Sequence, residues 1–350
     1  MMKSRTLGKT GLQVSEIGLG MEHIKTPNDI QAVIDRALTA GVNYIDVMIW
    51  QPLLQTALGE ALSGRREKVI LACHLSTGER NGQYRRTRDP QECADLINAL
   101  LERLGTSFCD ILHISNLNTR QDYRNIRKPG GVYDLALKLQ QEGKARFIGM
   151  SGHNYDTMKK VIKDGILDVL MYPVRIHGNQ PHTTDLLHRC ARAGVGVVAM
   201  KTFSGGQNFQ GSAPVPVFQC LAYSLAQPAV ATVAMGVKNV EELELNLGYL
   251  EAAEADRDFS GALAALQTAE KGVCIYCNHC QPCTQGIDIS LVNQFLAAAR
   301  TAVTPALRRQ FNRLEVKPSV CIECGDCMER CPFEVDVIAN MRQAVSLFEG

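Results

Sequence analysis

The sequence predicts an α/β protein, a (β/α)8 TIM barrel followed by a small, mainly helical domain. Three observations point there. Eight short apolar runs alternate with amphipathic segments over roughly the first 250 residues, the rhythm of a parallel barrel. No G-x-G-x-x-G follows the first run, which counts against the alternative, a doubly wound nucleotide-binding sheet. Eight of the 13 cysteines fall after residue 270, a composition shift that marks a second domain. The boundary is expected between 1–255 and 256–350.

The apolar runs, in order, are Val14–Gly20, Val42–Val47, Val69–His74, Phe108–Ser115, Ala145–Ser151, Leu167–Pro173, Val195–Lys201 and Ala229–Gly236. Each is too short for a buried helix and reads as a strand covered on both faces. Between them, Pro27–Ala40, Asp89–Leu104, Val132–Glu142 and Val240–Leu250 carry helical periodicity. Gly41, Gly143 and Gly194 stop helices just ahead of a strand, and Asp89-Pro90 starts one. The 350 residues are 45% hydrophobic and 21% charged, with a formal net charge of +1. That balance offers neither a basic footprint for nucleic acid nor the composition of a disordered chain. No apolar stretch reaches the roughly 18 residues of a membrane span, and no signal-peptide core opens the chain, so a cytoplasmic location is expected.

Cysteine usage divides sharply. Cys73, Cys93, Cys109, Cys190 and Cys220 are scattered and read as small buried hydrophobes. The rest form two runs, Cys274-Ile-Tyr-Cys277-Asn-His-Cys280-Gln-Pro-Cys283 and Cys321-Ile-Glu-Cys324-Gly-Asp-Cys327-Met-Glu-Arg-Cys331-Pro332. Two intervening residues let a turn aim successive sulfurs at one centre. The second run matches the C-x2-C-x2-C-x3-C-P pattern of bacterial ferredoxins, in which the last cysteine of a run ligates the other cluster. Two 4Fe–4S clusters are therefore expected, one on Cys274, Cys277, Cys280 and Cys331, the other on Cys321, Cys324, Cys327 and Cys283. Pro332 would turn the chain away after the last ligand. Two four-cysteine zinc sites are the competing reading. A segment of helical periodicity from Ile287 to Leu314 separates the runs, too long for a tight ferredoxin hairpin, so the second domain is expected to be a mainly helical ferredoxin-like module.

Several stretches resemble the aldo-keto reductase superfamily: Leu7-Gly8-Lys9-Thr10-Gly11-Leu12-Gln13-Val14-Ser15, Gly41-Val42-Asn43-Tyr44-Ile45-Asp46, Gly143 through Ser151, and Val198-Ala199-Met200-Lys201. The resemblance covers roughly residues 3–250, and the remainder looks like the ferredoxin extension of an iron–sulfur branch. It implies an oxidoreductase barrel whose usual members reduce carbonyls with NADPH, using a tyrosine acid tuned by Asp, Lys and His. Only the Asp is kept, as Asp46. Gln51 stands where the tyrosine would sit, His74 takes the lysine position and Ser115 the histidine position. An amide cannot act as a proton donor at neutral pH, so tyrosine-driven carbonyl reduction is not expected.

Asp46 and His74 should lie on neighbouring strand ends, where an Asp–His pair makes a usable acid and is the expected catalytic couple. Gln51, Ser115, Tyr84 in the polar loop Gly82–Arg88, and Arg175 and His177 after the sixth strand are the expected substrate-side residues. His113 should share the inward face with Ser115, one layer deeper, as a packed polar residue. Cationic groups at one barrel end suit a small anionic substrate, a carboxylate or a phosphate. By resemblance, Ser151 holds a nicotinamide amide, Lys201 ends the seventh strand, and Gly236, Lys238, Glu242 and Asn246 mark an adenosine site at a helix N-terminus. Lys238 would meet a 2′-phosphate and Glu242 the adenine. Met171 replaces the family's strand-six glutamine. NADP(H) is thus an expected cofactor, with a flavin or no organic cofactor as alternatives.

These residues point to an iron–sulfur oxidoreductase passing electrons between two clusters and a barrel site, with a redox partner protein at the far end. A non-catalytic electron-transfer or interaction subunit with a degenerate barrel is the alternative. An iron–sulfur lyase is a third reading, but eight cysteines for eight irons leave no open coordination position.

Overall fold

The computed structural model describes residues 2–80, 83–176, 180–203, 215–263, 272, 274, 280–300, 302–331 and 334–349; of residues 80, 83–85, 180 and 181 it describes the backbone. These residues fall into two compact units, one running to Phe259 and one from Ser260 onward.

In the first unit a short antiparallel hairpin, β1 (Ser4–Thr6) with β2 (Gln13–Ser15), precedes the barrel. Then follow β3 (Ile17–Gly20), α1 (Pro27–Thr39), β4 (Tyr44–Val47), α2 (Pro52–Ala61) and β5 (Ile70–Leu75). A second hairpin, β6 (Thr77–Arg80) and β7 (Gln83–Arg86), precedes α3 (Pro90–Arg103). After β8 (Cys109–Ile114) come α4 (Arg120–Ile126), α5 (Val132–Gln141), β9 (Ala145–Ser151), α6 (Tyr155–Lys163) and β10 (Val169–Pro173). The unit continues through α7 (Gln180–Ala193), β11 (Gly196–Met200), α8 (Val217–Ala226), β12 (Val230–Gly236), α9 (Val240–Leu247) and α10 (Glu254–Arg257).

Eight parallel strands close a ring in the order β3, β4, β5, β8, β9, β10, β11, β12, and each expected run supplies one of them. The first run is divided. Its opening residues belong to the β1–β2 hairpin and Ile17–Gly20 alone enters the barrel, because the Glu16 amide turns back to the Lys3 carbonyl. The expected polar loop around Tyr84 is instead an antiparallel pair, with Glu79 opposite Tyr84; its alternation of long side chains suits a ribbon as well as a loop.

Local chemistry accounts for the helix boundaries. Thr26 and Asp89 accept the N3 amides of α1 and α3, and Pro27 and Pro90 occupy first-turn positions where no amide is needed. Gly41, Gly143 and Gly194 adopt φ of 83°, 76° and 66° at helix exits, a conformation a side chain resists. Leu7 and Leu12 of the first hairpin join Ile70, Ile111, Val169 and Val198 in one buried cluster, so the hairpin packs into the barrel core.

The second unit contains α11 (Ile289–Ala299), α12 (Pro305–Phe311), α13 (Asp326–Glu329) and α14 (Val337–Phe348). The periodic segment from Ile287 to Leu314 thus forms two helices, because Thr304 caps a new helix opened by Pro305. Phe295, Phe311 and Phe348 make the core, with the Phe311 and Phe348 rings stacked at 4.3 Å. Among the described residues no helix is long and apolar enough to cross a membrane.

Candidate functional site

Side chains alternate in and out along a strand, so Asp46 on β4, His74 on β5 and Ser115 just after β8 share the inward face near the strands' C-terminal ends. There they join. His74 Nε2 lies 2.6 Å from Asp46 Oδ1, and its Nδ1 lies 2.6 Å from Ser115 Oγ. All three are buried. An ionised carboxylate only accepts, so the Asp46 contact places a ring proton on Nε2 and leaves Nδ1 to accept from the Ser115 hydroxyl. Ser115 Oγ also lies 3.5 Å from the His113 carbonyl, a second acceptor for the same hydrogen. The hydroxyl can therefore turn when the ring takes a proton at Nδ1.

His113 pairs with His74 in the β5–β8 register, and the two rings stack at 5.3 Å. It is fully buried, as a packed core residue, and burial holds its pKa well below the ordinary histidine value, with His74 adding to the shift. Among the described residues neither of its ring nitrogens meets a hydrogen-bond partner. A β-carbon on Gly149 would come within 2.3 Å of His113 Nδ1, so only glycine leaves room for this ring.

Backbone strain gathers at the same end. Ser76 after β5, Asn116 after β8 and Lys201 after β11 have φ of 79°, 59° and 55°. The Arg88 guanidinium donates to the Ser115 and Asn116 carbonyls at 2.8 and 3.0 Å and pins the turn that carries Ser115. Ser151 Oγ accepts from the Asn116 amide at 3.3 Å, so this residue braces the same turn.

A cationic group lies beyond the strand ends. Burial, then Lys201, Arg175 and Arg86, push the His153 pKa down to about 3, so this ring is neutral near neutral pH. Lys201 is lowered by burial and by Arg175 and Arg86, with Glu22 opposing. Three permanent or near-permanent cations from three chain segments thus act on one another. Sequence reasoning reached Arg175 and Lys201 as site residues, placed His153 and the loop cations Arg86 and Arg88 at the same barrel end without a defined role, and missed Glu22.

The other predicted residues scatter. Gln51 occupies the N-cap position of α2 without a side-chain capping bond. A pocket of about 800 Å³, open to solvent, is lined by His74, Trp50, Gln55, Glu79, Glu92 and Asp95 among others, and not by Gln51. The Tyr84 side chain and His177 lie outside the described residues. Lys238 and Glu242 engage each other, with Nζ 3.2 Å from Oε1 and the Lys238 amide donating to Oε2 at 2.9 Å. Nucleotide contacts by either would require that pair to open. Asn246 is buried on α9, which Asn239 caps, and a β-carbon on Gly236 would meet His23 at 2.7 Å.

In the second unit, one pocket of about 390 Å³ is lined by Cys283, Cys321, Cys324 and Cys327, together with Ile287, Ile289, Val337 and Met341. Cys283 comes from the first run and the other three from the second. Burial raises the Cys327 thiol, and Cys321 and Cys324 add to the shift. Cys280 is buried in the core, against which Cys274 and Cys331 pack, and Cys277 lies outside the described residues. Among the described residues no three His, Cys, Asp or Glu side chains converge as the ligands of a single ion do. Thr284, Gln285, Glu323, Asp326 and Arg330 share the lining with the cysteines and the apolar side chains, and four cysteines are the donor set that a four-iron cluster takes.

Residues 16–212 match the Aldo/keto reductase family. The chain is 26% identical over 306 residues to the uncharacterized oxidoreductase YqkF of Bacillus subtilis (strain 168), covering 77% of this chain and 97% of that protein. It is 25% identical over 290 residues to L-galactose dehydrogenase of Arabidopsis thaliana, covering 72% and 89%. Among solved structures, the holo form of aldo-keto reductase AKR11C1 from Bacillus halodurans superposes with a TM-score of 0.65 at 24% identity, covering 76% of this chain and 96% of that one. These relatives are matched nearly end to end, while the rest of this chain extends beyond them.

Proposed function

The chain belongs to the aldo/keto reductase family, and from that premise we propose an oxidoreductase in which His74, not a tyrosine, moves the proton. One observation carries this reading: the His74 imidazole is hydrogen-bonded on both nitrogens, to Asp46 and to Ser115, at the catalytic end of the barrel. Asp46 orients the ring and stabilises its charged form. Ser115 lies at the nitrogen that gains or gives the proton, and its hydroxyl can donate or accept in turn. Arg175, Lys201 and Arg86 supply the positive field that binds a small anionic substrate, a carboxylate or phosphate.

Two further groups complete the proposal. NADP(H) supplies or accepts hydride when bound, and two 4Fe–4S clusters carry single electrons between the chain and a redox partner. Ser151 fits the nicotinamide end through its place at the C-terminus of β9, and Gly236, exposed at the end of β12, fits an approach of the nucleotide to the backbone. Cys283, Cys321, Cys324 and Cys327 would hold one cluster; their shared pocket supports the exchange of the last cysteine between runs. Cys274, Cys277, Cys280 and Cys331 would hold the other.

Anaerobic purification with iron and sulfide analysis, followed by NADPH and NADH titration under visible absorbance, tests this. About eight irons per chain and bleaching on NADPH addition are expected. Full iron with neither nucleotide binding nor bleaching would sink the nicotinamide part. The exchange has its own test: Cys283→Ala should perturb the cluster of the later run, and loss confined to the other cluster would refute it.

A further inference from the structure

The second unit carries an unusual surface. Five large apolar side chains are markedly exposed among the described residues, and three of them, Val320 at 44%, Ile322 at 61% and Met328 at 37%, fall within nine positions. They flank the cysteines that line the 390 Å³ pocket, and Cys324 is itself exposed. Between Val320 and Glu329 every charged side chain is acidic: Glu323, Asp326 and Glu329. Two arginines stand against this set, one paired with its Glu323 and one following Glu329 in the chain. Arg342 pairs with Glu323, and Arg330 donates to the Cys280 and Pro282 carbonyls at 3.1 and 2.8 Å.

We propose that Val320, Ile322 and Met328, rimmed by Asp326 and Glu329, form the docking surface for a small one-electron carrier protein with a basic face. This rests on the reading of the neighbouring pocket as a cluster site. Electron transfer between proteins needs a redox group near the surface, a small apolar contact that forms and parts quickly, and a charged rim that steers encounter. All three features coincide here. A second copy of this chain fits poorly: three side chains fall short of the roughly 800 Å² per partner of a stable interface, and two acidic rims would repel. In the step itself one electron leaves the reduced protein and the oxidised carrier gains it, with no atom transferred.

The test uses the full iron-loaded chain, with cytochrome c as a basic probe. Resonances of the probe should shift when the oxidised protein is added, a binding readout in which no electron passes. The shifts should vanish between about 20 and 300 mM salt, as screened surface charges require. Val320→Ser with Met328→Ser, and separately Glu329→Lys, should each weaken binding about tenfold, a loss of about 1.4 kcal/mol. Their rates of cytochrome c reduction should fall in step. Reduction of ferricyanide, which needs no docking, should be unchanged, as should iron content and the electron paramagnetic resonance spectrum. A fully loaded protein whose binding ignores salt and both variants overturns the docking surface alone. A chain that takes up no iron overturns the cluster reading and the docking surface together. Self-association abolished by the serine variant would assign the surface to a second copy and overturn the proposal.

Discussion

His74 has both nitrogens engaged by buried partners, which makes its neighbours structural as well as chemical. Removing one partner leaves a polar group unsatisfied in a dry site, a cost of about 1–3 kcal/mol. Asp46→Ala and Ser115→Ala are each expected to destabilise the barrel by that amount, read from urea unfolding of the purified variants. His113 and His153 make a second residue-scale prediction. Both have pKa values depressed in the folded state, His153 to about 3, against about 6.5 for a free histidine. The unfolded chain therefore binds protons more readily than the folded one below pH 6.5. Stability should be full above that pH and decline as pH falls toward 3, by up to about 1.4 kcal/mol per pH unit for each histidine. Unfolding measured from pH 7 down to pH 4 should show this slope, and His153→Asn should reduce it; an unchanged slope would refute the assignment to His153.

At the scale of elements, β9 must pass His113 closely, and glycine at 149 is what permits it. Gly149→Ala would force the ring or the strand aside. Overpacking of this kind costs about 1–3 kcal/mol, visible as a lower unfolding midpoint. Helix caps set smaller terms. Asp288 accepts the Leu291 amide of α11 at 2.9 Å and Thr304 the Leu307 amide of α12 at 3.1 Å. Asp288→Ala should cost about 1 kcal/mol, measured by urea unfolding of the full chain. The two caps also explain why one periodic stretch became two helices. Hydrophobic spacing from Ile289 to Leu314 runs on across residues 300–304, and only the start signal at Thr304-Pro305 reveals the break.

The whole molecule combines two units of different physical character. The barrel owes its stability to buried aliphatic layers, whereas the second unit has three aromatic rings and a set of cysteines packed against them. On the proposed cluster reading, a unit this small gains much of its stability from the clusters its cysteines would hold. Iron removal by a chelator under oxidising conditions is expected to expose 260–350 to limited proteolysis while the barrel resists. Simultaneous digestion of both units would contradict that expectation.

Strand count and barrel class could be read from the chain because each follows from local properties. Apolar run length, helix periodicity, capping residues and C-x2-C spacing all act over fewer than about 20 residues. What the residues at the strand ends do to one another was not available in that way. Asp46 and Ser115 lie 28 and 41 positions from His74, and they meet only because closure of the ring sets β4, β5 and β8 side by side in one register. The convergence of His153, Arg175 and Lys201 likewise depends on the order of β9, β10 and β11 around the barrel. By itself the sequence determined which side chains stand at the positions expected to replace the family's tyrosine, lysine and histidine. Tertiary structure decided that two of the replacements would share hydrogen bonds, because strand register, not sequence spacing, sets which inward-facing side chains are neighbours.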